Sequence, residues 1–280
     1  MPPDAHAAPP HGFPDALVAC VLDDALVAGA EVYGISGLQG SGKSTLAAQL
    51  VAAAQARGLR AVSVSIDDFY LDLPERQRLA REVHPLLATR GPPGTHDLAL
   101  ACDTLDALRC GRAVAVPAFD KLADRRLPRP SWRCEAADLV VFEGWFLGTP
   151  AEPEAALQTP ANGLERDEDA DGRWRRHVNA ALARDYPALW RRIDRLLFLQ
   201  PPGFDVVPAW RWQQEQALQA RNPSRAGMTR EQVARFVQHY ERVSRQALRT
   251  LPGLAEAVVA LDAQRRPGPL RKRGSAAARR

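Results

Sequence analysis

One octapeptide, Gly37-Leu38-Gln39-Gly40-Ser41-Gly42-Lys43-Ser44, limits what this chain can fold into more than any other stretch. It satisfies the spacing G-x-x-x-x-G-K-[ST], and Thr45 follows it. At average residue usage a chain of this length meets that pattern by accident on the order of once in a hundred. The flanks fit as well. Val32-Tyr33-Gly34-Ile35-Ser36 is a short apolar run of strand type, and Leu46 to Ala54 is strongly helix-forming. Strand, glycine loop and helix are what the motif needs. Glycines allow successive backbone N–H groups to line one concavity, and the helix adds its unpaired amides and positive dipole end. Residues Gly37 to Thr45 are therefore expected to cradle a triphosphate. Lys43 reaches the β- and γ-phosphates, and the Ser44 hydroxyl ligates Mg²⁺.

The rest of the chain supports an α/β domain around this loop. Its 280 residues are 46% hydrophobic and 25% charged, which are globular values and suffice for one large core. Apolar runs at 31–36, 61–66, 138–142, 196–199 and 257–261 alternate with helical stretches, the pattern of a parallel sheet covered on both faces. Ala113 to Pro117 is a further short strand. Pro14–Ala30, Leu98–Arg109, Val206–Arg221 and Thr229–Thr250 read as helices. The expected architecture is a P-loop NTPase fold, three-layer α/β/α with a mostly parallel central sheet and a helical lid. Residues 14–263 form the domain. Residues 1–13 are read as a flexible N-terminus, 150–173 as an exposed acidic, Pro- and Gly-rich insertion, and 264–280 as a disordered basic tail.

The net charge is +4, carried by that tail; without it the chain is slightly acidic, which argues against a dedicated nucleic-acid binder. No apolar run approaches the roughly 20 residues that span a bilayer, and no secretory signal pattern opens the chain. Cys20, Cys102, Cys110 and Cys134 are scattered, without a C-x-x-C pair, so neither zinc nor a disulfide is suggested and a cytoplasmic location is expected.

Ligands of open α/β sheets bind beyond the carboxyl ends of the strands. Two acidic sites fall there. Asp67-Asp68 follows the second strand, and Glu143 ends the third core strand in the position of a Walker B acid. Phosphoryl transfer needs one acid for the metal and one to accept the proton of the attacking hydroxyl. No N-K-x-D segment for guanine is present, so ATP is the expected donor. Two loops, 84–97 and 117–126, are dense in polar groups beside rigid turns and are candidate substrate contacts. They contain Thr95, His96 and Asp97 in the first, and Asp120, Lys121, Arg125 and Arg126 in the second; Asp68 and Tyr70 lie alongside. Lys121, Arg125 and Arg126 are the cations available to a carboxylated acceptor. Arg211 and Arg221 sit on a late helix from which a lid could carry positive charge over phosphates; a solvated face accounts for them equally well.

Together these segments resemble the D-glycerate 3-kinase family, P-loop kinases related to uridine kinase, phosphoribulokinase and bacterial pantothenate kinase. The resemblance runs from about residue 31 to 262. It is carried by the P-loop, Ser65 to Leu71, Arg90 to Leu98, Pro117 to Lys121, Val140 to Gly148, Trp210 to Glu215, and Gly227-Met228-Thr229 with Phe236-Val237. The Gly94-Thr95-His96-Asp97 and Phe142-Glu143-Gly144-Trp145 segments are the specific ones. The resemblance implies transfer of the γ-phosphate of ATP to the 3-hydroxyl of D-glycerate. It implies Asp67 as general base, Glu143 as a magnesium residue, and Arg211, with Arg221 a weaker match, as a lid arginine. After Asp120-Lys121 the chain departs from the family's Gly-Arg-Gly-Asp-Arg-like stretch and reads Leu122-Ala123-Asp124-Arg125-Arg126, where Asp124-Arg125 stands for the family's Asp-Arg pair. Two other functions remain open: a kinase of this fold acting on a nucleoside, pantothenate or another sugar acid, and a P-loop ATPase serving as a switch or assembly factor.

Overall fold

The computed structural model describes residues 12–221 and 227–273, without the side chains of Cys134 and Arg221. Most of the N-terminus read as flexible, the Arg221 side chain and the last seven residues of the basic tail lie outside the described part.

In chain order the elements are α1 (Asp15–Val27), β1 (Val32–Gly37), α2 (Lys43–Ala56), β2 (Ala61–Ser65), α3 (Leu73–Glu82), α4 (Leu98–Arg109), β3 (Val114–Val116), β4 (Phe119–Asp120), β5 (Arg125–Arg126), β6 (Arg133–Glu135), β7 (Leu139–Gly144), α5 (Gly163–Glu168), α6 (Arg173–Arg184), α7 (Pro187–Trp190), β8 (Arg195–Gln200), α8 (Val207–Arg221), α9 (Arg230–Leu254), β9 (Ala257–Leu261) and β10 (Pro267–Lys272). The central sheet has the order β10-β9-β8-β1-β7-β2. All of its pairings are parallel except that of β10 with β9. The expected three-layer, mostly parallel fold is therefore present.

Every residue of β1 and of β7 is buried, as expected of strands covered on both faces. Successive side chains alternate between two cores. Leu139 and Val141 of β7 pack with Tyr33 and Ile35 against α1 and α2, through Val21, Leu22, Leu46 and Leu50. Val140 and Phe142 face the other core, which α4, α6 and α9 close with Leu105, Trp174, Val178, Val243 and Leu251. This arrangement brings the carboxyl ends of β1, β7 and β2 side by side. In register, Glu143 lies beside Ile35 on one flank and Ser65 on the other.

The short strand at Val114–Val116 stands outside the central sheet and pairs with β6 in a separate two-stranded ribbon. Two organisational expectations change. The basic tail is not disordered over its first part: Pro267 to Lys272 adds an antiparallel edge strand to β9. Cations on an edge strand are a usual guard against edge-to-edge association, and here Lys272 also reaches Asp24 at 3.0 Å. The 150–173 segment is docked rather than a free insertion. Leu157, Leu164, Glu165 and Asp169 are all buried. Arg242 of α9 meets Glu165 at 2.6 Å and Glu152 at 2.9 Å, and Arg175 meets Asp169 at 2.9 Å. The acidic residues that made this segment look solvated are the partners of buried arginines.

Candidate active site

The phosphate cradle follows from local backbone geometry. Gly40 and Gly42 hold φ of 80° and 90°, a region open mainly to glycine, and Gly42 caps the N-terminus of α2. The turn is closed by the Ser41 amide donating to the Leu38 carbonyl at 3.1 Å. A Cβ on Gly40 would lie 2.6 Å from Cβ of Trp210, so α8 rests directly on the loop. Ser36 Oγ, Ser41 Oγ and both side-chain atoms of Gln39 are buried here without a hydrogen-bond partner. Buried polar groups are normally satisfied, and their clustering marks a site built for a polar ligand. A cavity of about 240 Å³ adjoins the loop, lined by Phe13, Gly40, Thr45, Gln213, Ala217 and Arg265. Phe13 is fastened there by a two-way clasp with Gln49, its amide donating at 2.8 Å and its carbonyl accepting at 2.9 Å. Arg265 donates to the Gly40 carbonyl at 2.6 Å and lies over the Trp210 ring at 4.9 Å. Sequence reasoning placed both residues in the two ends of the chain assigned to flexible segments.

At the end of β7 the Glu143 carboxylate accepts from Ser44 Oγ at 2.8 Å through Oε1. Its second oxygen, Oε2, is buried and has no partner. A hydroxyl and a carboxylate with one oxygen to spare are the hard oxygen donors that Mg²⁺ takes, so these residues fit that ion.

Asp67 stands in a short 3₁₀ turn, Ile66–Phe69, that continues β2. The turn is tied at its start: Ser65 Oγ accepts from the Asp67 amide at 3.2 Å, and the Asp68 carboxylate accepts from the Ser65 amide at 3.3 Å. Lys121 Nζ donates to Asp67 Oδ2 at 2.5 Å. Burial alone would raise the Asp67 carboxyl, but the charges of Lys121 and Lys43, with hydrogen bonds from Lys121 and Tyr70, hold it well below the usual carboxylate range. Asp68 moves the other way. Burial, and the adjacent Asp67 charge against the bond from Ser65, push it up to about 6.

The two candidate substrate loops meet at this point. Tyr70 and His96 bridge as extended residues, and the Asp97 amide donates to the Phe69 carbonyl at 2.7 Å. Much of the Gly94–Asp97 segment is occupied with holding itself. Thr95 Oγ1 accepts from the Gly91 amide and donates to the Pro92 carbonyl, at 2.9 and 2.8 Å. Asp97 caps α4 by accepting from the Leu100 amide at 3.1 Å and pairs with Arg126 at 3.2 Å. Arg126 also donates to the Tyr70 carbonyl at 3.0 Å. His96 is buried, with Nδ1 2.6 Å from Tyr186 Oη, and burial lowers it to about 4, so the ring is neutral. Its Nε2 has no partner.

Asp120 turns the second loop by accepting from the Leu122 and Ala123 amides at 2.9 and 3.0 Å. Arg125, opposite Asp120 on β5, is exposed. Asp124, the first residue of the Asp-Arg pair, is held by other arginines. It takes φ of 53° and is gripped by Arg90 and by the buried Arg76, the latter at 2.8 Å. Arg211 donates to Glu215 at 3.3 Å and lies over the Phe236 ring at 5.8 Å, between the lid helices. Tyr240 of α9 lies near both Arg211 and Asp67 and donates to the Arg90 carbonyl at 2.8 Å. Arg76, Arg90, Tyr186 and Tyr240 were not singled out by sequence reasoning; Arg90 alone had a signal, since it opens the resembling Arg90-to-Leu98 segment.

Among the described residues no helix is long and apolar enough to cross a membrane.

Comparisons with known proteins place the chain among kinases. The sequence profile of the Phosphoribulokinase / Uridine kinase family matches residues 32–151. The chain is 36% identical over 223 residues to the uncharacterized kinase mug58 of Schizosaccharomyces pombe, covering 75% of this chain and 78% of that protein. It is 32% identical to the chloroplastic D-glycerate 3-kinase of Arabidopsis thaliana over 75% of this chain, but spans only 46% of that protein's length. Among solved structures, D-glycerate 3-kinase from Cryptococcus neoformans superposes with a TM-score of 0.72 at 26% identity, covering 92% of this chain and 97% of that one. The profile, the relatives and the fold converge: the chain belongs to the D-glycerate 3-kinase family of P-loop kinases, ATP-dependent phosphotransferases that act on an alcohol group of a small-molecule acceptor.

Proposed function

We propose that this kinase transfers the γ-phosphate of MgATP to the 3-hydroxyl of D-glycerate. The observation that carries the reading is the Asp67–Lys121 pair, 2.5 Å apart at the end of β2 and within the field of Lys43. A carboxylate that can take a hydroxyl proton, beside a cation that can hold an acceptor's carboxylate, suits a hydroxy acid better than a neutral alcohol. The D-glycerate 3-kinases of Arabidopsis and Cryptococcus among its relatives support the same acceptor.

In this reading the amides of Gly37 to Thr45 and the Lys43 ammonium bind the β- and γ-phosphates, and the cavity beside Phe13 and Arg265 takes the nucleoside. Ser44 and Glu143 would hold Mg²⁺, which when bound neutralises charge on the phosphate oxygens. Asp67 accepts the proton of the attacking hydroxyl. Lys121 and Arg126 hold the acceptor carboxylate, with Arg125 at the rim. Thr95, Asp97 and Asp120 fix the loops that carry these groups; His96, Tyr70 and Asp68 form the floor. Arg211 comes from the lid to the transferred group. ADP release measured with D-glycerate, uridine, pantothenate and other sugar acids tests the assignment. D-glycerate giving the highest kcat/KM is the expected result; a nucleoside or pantothenate outranking it would overturn it.

A further inference from the structure

The contact between Lys121 and Asp67 joins the two groups that the proposed reaction needs apart. To take a proton Asp67 must give up its ion pair, because the ammonium on Oδ2 favours the deprotonated carboxylate, and Lys121 must be free to meet the acceptor's carboxylate. Here each occupies the other. The turn that bears Lys121 is rigid: Asp120 ties the Leu122 and Ala123 amides, Arg90 donates to the Lys121 carbonyl at 3.0 Å, and Arg76 and Arg90 both grip Asp124. The lysine side chain, by contrast, is 57% exposed and Asp67 is 20% exposed. A flexible four-carbon stem on a fixed backbone can exchange its anionic partner without moving the loop.

We infer that Lys121 is a gate on the general base: in the acceptor-free enzyme it occupies Asp67, and only an acceptor bearing a carboxylate draws it away and releases the base. The inference rests on the proposed reading of Asp67 as base and of the acceptor as a hydroxy acid. With the acceptor in place, the hydroxyl oxygen forms the bond to the γ-phosphorus. The bond from that phosphorus to the β,γ-bridging oxygen breaks with its electron pair leaving on ADP, and the hydroxyl proton passes to Asp67. Water could follow the same course and give phosphate and ADP. The gate lowers that wasteful hydrolysis, because a water molecule carries no anion with which to displace Asp67 from the lysine. Specificity then arises at the base as well as in binding.

The test is ATP hydrolysis without any acceptor, compared for wild type, Lys121→Met and Lys121→Arg. The gate predicts that Lys121→Met hydrolyses ATP faster than wild type by on the order of tenfold, part of the roughly 10²–10⁴-fold that a positioned base supplies. Its KM for D-glycerate should rise by about 10- to 100-fold with loss of a charge-assisted hydrogen bond. Lys121→Arg, which keeps the charge, should restore low hydrolysis. A second measurement uses wild type alone: D-lactate, which has the carboxylate but no 3-hydroxyl, should stimulate hydrolysis, and glycerol should not. Hydrolysis by Lys121→Met equal to or below wild type, with unchanged ATP affinity and melting temperature, overturns the gate. Faster hydrolysis by Lys121→Met with no response to D-lactate or D-glycerate keeps the gate and overturns the assigned acceptor instead. If Lys121→Met does not fold, Lys121→Ala takes its place, and hydrolysis by it equal to or below wild type overturns the gate.

Discussion

Replacing Asp67 by Asn separates the base from the rest of the machinery. The side chain keeps its shape and can still accept from Tyr70, and the 3₁₀ turn keeps its cap because Ser65 bonds the residue 67 amide rather than its carboxylate. What disappears is the proton acceptor and the negative partner of Lys121. Loss of a positioned base costs about 10²–10⁴-fold in kcat, or about 3–5 kcal/mol of transition-state stabilisation. The phosphate cradle is formed by other residues, so ATP affinity should not fall: removing the Asp67 charge near Lys43 favours rather than opposes phosphate binding. The assay pairs steady-state kcat with nucleotide affinity from a fluorescent ATP analogue. A kcat within threefold of wild type removes Asp67 from the reaction. A large loss of ATP affinity contradicts the division of labour between the β2 acid and the P-loop.

Three further outcomes follow from the geometry. Gly40→Ala places a methyl group 2.6 Å from Cβ of Trp210 at a φ of 80°, so α8 is driven off the loop; ATP affinity should fall on the order of tenfold, the scale of about 1–3 kcal/mol of strain, as read by calorimetric titration. Arg242→Met leaves Glu165 and Glu152 buried without their cation and should cost about 3–5 kcal/mol, lowering the melting temperature by about 6–20 °C; a shift under a degree would show that the 150–173 segment is peripheral to stability. Asp68, raised to about 6 in the fold from 3.8, contributes stability that is fully present below about pH 4 and is lost as pH rises through 6. Asp68→Asn removes that loss, so its stability relative to wild type should rise between pH 4 and pH 8 by at most about 3 kcal/mol, measured by urea unfolding; a constant difference across that range contradicts the raised carboxyl.

The sheet was readable in the sequence because parallel strands buried on both faces are written as apolar runs, as β1, β7, β8 and β9 largely are, while the edge strand β2 alternates valine with serine. The phosphate loop was readable because its chemistry requires glycine and lysine at fixed spacing. Less legible were residues whose meaning depends on a distant partner. The acidic stretch around Glu165 looked solvated until Arg242, 77 positions later, supplied the cation. Leu270 and Lys272 sat among so many basic residues that composition suggested disorder, although they complete an edge strand. Asp124 and Arg125 are neighbours in sequence, yet Arg76 and Arg90 take the aspartate because the turn points it inward toward them. The pairing of Lys121 with Asp67 crosses 54 positions and could not be inferred from either local sequence.

The central claim is that this enzyme phosphorylates the 3-hydroxyl of D-glycerate. Phosphorus NMR of the product formed from ATP and D-glycerate tests it directly, since the two monophosphate isomers differ in coupling to the adjoining protons. The account predicts 3-phosphoglycerate as the sole new phosphomonoester, appearing in step with ADP. Formation of 2-phosphoglycerate, or ADP released only with inorganic phosphate, would contradict it.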